Sequence, residues 1–259
     1  MALTATYLYC IVHAAKTPAL AGVPPGIPGA RGLVVRAAGR SLWVVVSEVP
    51  LETYGPDALE RALADLPWVA QIAVAHEHVV EHFARRRGST AVPMKLFTMF
   101  SSPDRALDET RSRSRQIAGI VKRIGGCEEW GVRITRRPPR ATRPAARAAR
   151  AASGAAFLTA KKQTRDTARD VLRAAAESAD AAYDTLAAIA RDARRRDDVP
   201  QGAAAPPLLD AAFLVPGAHR PRFKSAVKRL AARSAAAGTD LTVTGPWPAY
   251  NFVQPEPRT

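Results

Sequence analysis

His78-Val79-Val80-Glu81-His82 is the one pattern in this sequence with a catalytic precedent. The H-x-x-E-H spacing puts both imidazoles on one helix face, where they can hold zinc while the glutamate activates water. Such a site needs a third, acidic ligand from a downstream helix. The helical acids at a comparable distance, in the segment 166–192, fall on a polar face. An amphipathic helix with Val69, Ile72, Val79 and Phe83 inward and the histidines at its edge accounts for the same residues without chemistry. Nucleophilic catalysis has less support: Ser89 and Ser153 have no G-x-S-x-G context. The glycines between positions 22 and 32 match neither a P-loop nor a G-x-G-x-x-G turn. Cys10 sits in an apolar run, where a thiol acts as a small hydrophobe. The expectation is a non-enzyme with no catalytic, cofactor or metal site, and a zinc hydrolase using His78, Glu81 and His82 is the third reading of function.

The elements that position these residues read as α+β. Residues 7–12 form a first strand, followed by a Pro/Gly-rich loop. Residues 32–36 and 41–47 are two strands joined at Ala38-Gly39-Arg40 as a hairpin. Asp57 caps a short helix to position 64, and Pro67 opens a longer one over 68–87 that stops at Gly88. A strand over 92–97 follows. Ser102-Pro103-Asp104 then starts a helix running to Ile124 and ending at Gly125-Gly126. Residues 127–135 are a strand with Trp130, Val132 and Ile134 on one face and Glu129, Gly131 and Arg133 on the other. A long helix over 155–196 carries a narrow, alanine-rich seam through Leu158, Thr164, Ala168, Val171, Ala175, Ala179, Ala182, Leu186, Ile189 and Ala193. A strand over 208–215, a helix over 221–237 and a strand over 241–244 complete a β-α-β-α-β order, which suits a modified ferredoxin-like unit with helices on one face. The predicted division is an α+β domain over 1–126, a second domain over 127–244 with a basic linker over 136–152, and a tail over 245–259.

The net charge of +15 and pI near 10.8 suggest a nucleic-acid partner at first sight. The distribution argues otherwise. Seven arginines and no acid lie in 133–150, so one stretch carries nearly half of the excess. That stretch has none of the stacking aromatics that single-strand readers use. Its basicity reads as compositional and solvated, with an acidic partner surface next and nucleic acid last. A basic nucleic-acid-binding protein is thus the second reading of function. Two cysteines outside any CxxC spacing suit reduced thiols. The apolar start lacks a basic n-region, and no run reaches the ~20 residues of a membrane span. The sequence is expected to be soluble and cytoplasmic.

The closing segment 244–253, Thr-Gly-Pro-Trp-Pro-Ala-Tyr-Asn-Phe-Val, holds three aromatics within six residues: Trp247, Tyr250 and Phe252. Two prolines and a glycine force an extended, turning path. Free aromatics near a terminus invite association, so docking of the tail into grooves is expected, each buried ring contributing about 2–3 kcal/mol. Trp247, Tyr250 and Phe252 are the candidate contacts between domains or to a partner.

These residues resemble a known family. The ending is similar to the terminal TGPWPxYxFV signature of the GvpF/GvpL gas vesicle proteins. Tyr7-Leu8-Tyr9-Cys10-Ile11-Val12 resembles their opening strand, and His76-Glu77-His78-Val79-Val80 their A-H-E-x-V helix. The run from Pro93 to Phe100 is similar to P-(L/M)-(R/K)-F-G-T-x-F, and Glu129-Trp130-Gly131-Val132-Arg133-Ile134 to E-W-G-V-(K/R)-(V/I). Phe157-Leu158-Thr159-Ala160-Lys161-Lys162 occupies the place of a Y-L-x-x-(K/R)-(K/R) helix start. One departure stands out: Leu96-Phe97 replaces Phe-Gly, so a side chain occupies a backbone position where glycine suggests tightness. The resemblance implies two α+β domains, the second a modified ferredoxin fold, and a minor constituent or assembly factor of gas vesicles. It further implies contacts with a GvpA-type shell subunit and other accessory Gvp proteins, with no specific nucleic acid, no membrane, no metal and no cofactor.

Overall fold

Thr4–Ala14 (β1) is a run of β-branched and aromatic residues, and it becomes the strand about which the first sheet is built. The computed structural model describes residues 3–137, 154–196 and 206–254. The chain divides into two compact units, one of Met1–Glu129 with Pro246–Thr259, the other of Trp130–Gly245.

In the first unit, Arg31–Gly39 (β2), Leu42–Pro50 (β3), β1 and Ser89–Pro93 (β4) stand in the order β2-β3-β1-β4, and Met99–Phe100 (β5) also pairs with β1. β3 runs antiparallel to both β1 and β2. The register on β3 slips between Leu8 and Cys10, inserting Tyr9 as an extra residue. A bulge of this kind reverses the alternation beyond it. Tyr7 before it and Cys10, Val12 and Ala14 after it share one core with Tyr9, while Leu8 and Ile11 face the other way.

Two short helices, Leu51–Tyr54 (α1) and Pro56–Ala62 (α2), precede Leu66–Ala84 (α3). Asp65 caps α3 by accepting the Trp68 amide at 3.1 Å, with Pro67 in the first turn. Ile72, His76, Val79, Val80 and Phe83 form its buried stripe against the tyrosine face of β1. The expected helix from Ser102 to Ile124 is two helices, Pro103–Ser112 (α4) and Ser114–Ile124 (α5), which share Arg113 as the cap between them. Ser112 hydroxyl donates to Glu109 carbonyl at 2.8 Å at this break, a local bond that competes with helix continuation.

The second unit contains Cys127–Arg136 (β6, from Trp130 onward), Gly154–Ala187 (α6), Asp192–Arg195 (β7), Leu209–Pro216 (β8), Arg220–Ala236 (α7) and Thr239–Trp247 (β9, to Gly245). The sheet order is β7-β8-β6-β9. Trp130, Val132, Ile134, Phe213, Leu186 and Phe223 are among its core residues. The expected β-α-β-α-β order is corrected here to β-α-β-β-α-β. The helix stops at Ala187 rather than 196, and β7 pairs antiparallel with β8, Asp192 opposite Leu214 and Arg195 opposite Ala211. Alanine, arginine and aspartate gave this stretch no strand signal; pairing with β8 overrides local propensity.

Of the seven arginines in 133–150, two described ones hold acids. Arg133 donates to the buried Asp210 carboxylate at 2.6 and 2.9 Å, alongside Arg196 at 2.8 Å. Arg137 pairs with Asp240 at 2.5 Å on the surface. The remainder of that stretch, and with it the expected linker, lies outside the described residues.

Candidate functional site

The bulged strand β1 aims two phenols into the first unit's core. Tyr7 hydroxyl lies 2.8 Å from His76 Nδ1 and accepts the Phe97 amide at 3.3 Å. Tyr9 hydroxyl meets Ser47 Oγ at 2.9 Å and accepts the Ile27 amide at 3.0 Å. Tyr7 and Tyr9 rings lie 4.8 Å apart, and both pack against the His76 imidazole. Burial holds His76 down at about 4, with a weaker opposing effect from Met94 backbone. Burial also raises the phenols of Tyr7 and Tyr9. At neutral pH the cluster is uncharged, which is what a water-poor core requires.

The chain's closing segment seats on this unit. Phe252 is fully buried in a short 3-10 turn, Tyr250–Phe252. Tyr250 packs against the tyrosine core with its ring 6.3 Å from that of His76. Two polar anchors hold the turn. The Asn251 amide and side chain both donate to the buried Glu129 carboxylate, at 2.8 and 2.5 Å. Arg123 donates to the carbonyls of Phe252 at 2.5 Å and Gln254 at 3.4 Å. Trp247, at the end of β9, is 42% exposed. The three candidate aromatics are therefore not brought together: Phe252 and Tyr250 face the core and Trp247 faces solvent. Glu129 and Asn251 were missed as anchors. The available signal was an acid beside the apolar run of β6 and an asparagine between two docking aromatics.

Phe97 has φ of +61°, a left-handed backbone that costs a branched or bulky residue about 1–2 kcal/mol. Its ring stacks on Trp68 at 5.8 Å with the planes 4° apart, offsetting the strain. A bulky side chain is thus accommodated in a left-handed backbone position, where the family pattern that this stretch resembles has glycine.

The histidine pattern on α3 is engaged otherwise. His82 Nε2 accepts from Arg86 Nε at 3.2 Å and lies 2.7 Å from its Nη2. Glu81 is paired with Arg85. Among the described residues no three His, Cys, Asp or Glu side chains converge to hold a metal ion. His76, two residues before this pattern, is the buried histidine of α3.

On the opposite face of the first sheet a cavity of about 500 Å³ opens between β1, β4, β5 and the α4–α5 pair, with Val253 and Gln254 forming part of its wall.

The sequence matches the gas vesicle synthesis protein GvpL/GvpF family over residues 5–254. The chain belongs to that family. It is 27% identical over 252 residues to gas vesicle protein L of Streptomyces sp. (strain CB03234), covering 93% of this chain and 91% of that protein. Its fold is similar to the crystal structure of gas vesicle protein GvpF from Anabaena sp. PCC7120, with a TM-score of 0.67 at 15% identity over 99% of this chain and 98% of that one. GvpF from Microcystis aeruginosa is similar too, with a TM-score of 0.65 at 15% identity, covering 96% and 99%. Membership in the GvpL/GvpF family gives this protein a gas-vesicle-related role. Among the described residues no helix is long and apolar enough to cross a membrane.

Proposed function

We infer that this GvpL/GvpF family protein is a non-enzymatic accessory or minor structural protein of gas vesicle assembly, acting in the cytoplasm and at the vesicle by binding the hydrophobic GvpA-type shell subunit and other Gvp proteins. Family membership over nearly the whole chain supports the setting. The observation that carries the binding mechanism is the first half of α6. Residues 161–174 are all exposed, and Val171 is 60% and Leu172 41% exposed. A helical stretch of that length is marginal in water without tertiary packing. Helix-on-helix docking is the mode by which such a face is ordinarily covered. Among the described seam residues, Thr164, Ala168 and Val171 are exposed, whereas Ala175, Ala179, Ala182, Leu186 and Ile189 are buried within the second unit.

The order β-α-β-β-α-β supports a modified ferredoxin-like reading of the second unit, and the tail's anchors in the first unit support a two-domain protein with a docking C-terminal segment. The nucleic-acid reading is weakened by Arg133 and Arg137, whose charges are already met by Asp210 and Asp240. Co-expression with the shell subunit tests the proposal. The subunit should co-purify with the native chain, and Val171→Glu with Leu172→Glu should reduce recovery at least tenfold without lowering the melting temperature. Failure of the shell subunit to co-purify under any vesicle-forming condition would overturn it.

A further inference from the structure

The cavity between the first sheet and the α4–α5 pair has Val253 and Gln254 in its wall, but none of the tail's three aromatics lines it. Its lining is mainly aliphatic: Leu8 and Ile11 from β1, Val92 from β4, Ile117 and Ile120 from α5, and Val253 from the tail. Its about 500 Å³ falls in the range of small-molecule sites, ~300–1,000 Å³. Three charged side chains border it. Glu109 and Arg113 neutralise one another at 2.6 Å, whereas Lys95 is exposed and has no ion pair among the described residues. The local balance is one uncompensated cation at the edge of an apolar space.

We propose that this cavity is a binding site for a straight-chain aliphatic carboxylate, the chain lying against Leu8, Ile11, Ile117 and Ile120 and the carboxylate paired with Lys95. A linear chain suits a lining of aliphatic side chains. A single negative charge suits the one unpaired ammonium, and the Glu109–Arg113 pair adds no second anion site. This inference is independent of shell-subunit binding and holds or fails without it.

Titration of the full chain with hexanoate, octanoate and decanoate, followed by calorimetry and by the methyl signals of isoleucine, tests the assignment. Affinity is expected to rise roughly fourfold per methylene, as burial of aliphatic chain predicts. The signals of Ile11, Ile117 and Ile120 should move together. Lys95→Met should weaken decanoate at least fivefold and leave decanol unchanged. Ile120→Trp, at a half-buried position, should fill the space and abolish both, and Thr98→Leu offers a second filling variant should the first fail to fold. Equal affinity for decanoate and decanol would overturn the carboxylate assignment. No binding by a folded chain at millimolar decanoate would overturn the site. Loss of a Gvp partner from Ile120→Trp, with no decanoate binding to the native chain, would show the groove to be a protein-docking surface and likewise refute the proposal.

Discussion

Replacing Phe252 by alanine tests the docking of the closing segment most directly. The ring is fully buried at the centre of the Tyr250–Phe252 turn, whereas Trp247, five residues earlier, is 42% exposed. Removing a buried phenyl forfeits about 2–3 kcal/mol of transfer free energy, and an incompletely collapsed cavity brings the total to about 3–5 kcal/mol. The anchors respond in the same direction: the Asn251–Glu129 and Arg123–Phe252 bonds depend on the turn that the ring holds in place. Trp247→Ala should cost less than about 1 kcal/mol, because much of that ring never leaves water. Urea unfolding of the two variants beside the native chain measures the difference, and hydrogen exchange at Asn251 and Phe252 locates it. A loss below about 1 kcal/mol for Phe252→Ala, or a larger loss for Trp247→Ala, would refute the account of the tail.

Two further perturbations probe the core beneath. Phe97→Ala should be more destabilising than Phe97→Gly by about 1 kcal/mol, the reverse of the ordinary order, because both lose the Trp68 stack and only glycine is relaxed at φ of +61°; chemical denaturation of the pair decides it, and the ordinary order would show that the residue is not left-handed. Because His76 is held at about 4 in the folded state against 6.5 when unfolded, the unfolded chain binds the extra proton between these values. Stability is then full above pH ~6.5 and falls by up to about 3 kcal/mol as the pH drops through 4. His76→Gln should flatten that part of the pH–stability curve, and an unchanged curve would place the imidazole in contact with water.

The strands of the first unit were legible because β-branched and aromatic residues cluster between Gly/Pro turns, and two helix starts because Pro67 and Ser102-Pro103 satisfy or remove first-turn amides. Asp57, expected as a cap, lies inside the first turn of α2, whereas Asp65, not foreseen, caps α3. Trp130, Val132 and Ile134 were correctly placed on one face by period-two alternation. Strict alternation does not run through β1. A bulge at Tyr9 leaves no mark in composition, yet it decides that Cys10 joins the tyrosine core and that Ile11 faces the cavity. Phe97 shows the opposite case. The departure from glycine was visible in the sequence, but whether the backbone would yield or the side chain would be accommodated depended on Trp68, twenty-nine positions away.

By itself, then, the sequence determined the identity of the family, the α+β class and the aromatic character of the tail, since these follow from residue types read in order. Tertiary structure alone decided that residues 192–195 form a strand, that Phe252 rather than Trp247 is buried, and that Glu129 and Asn251 hold the tail. Each of these depends on a partner far along the chain. Pairing, burial and hydrogen bonding over such separations are energies of contact, which no local preference encodes.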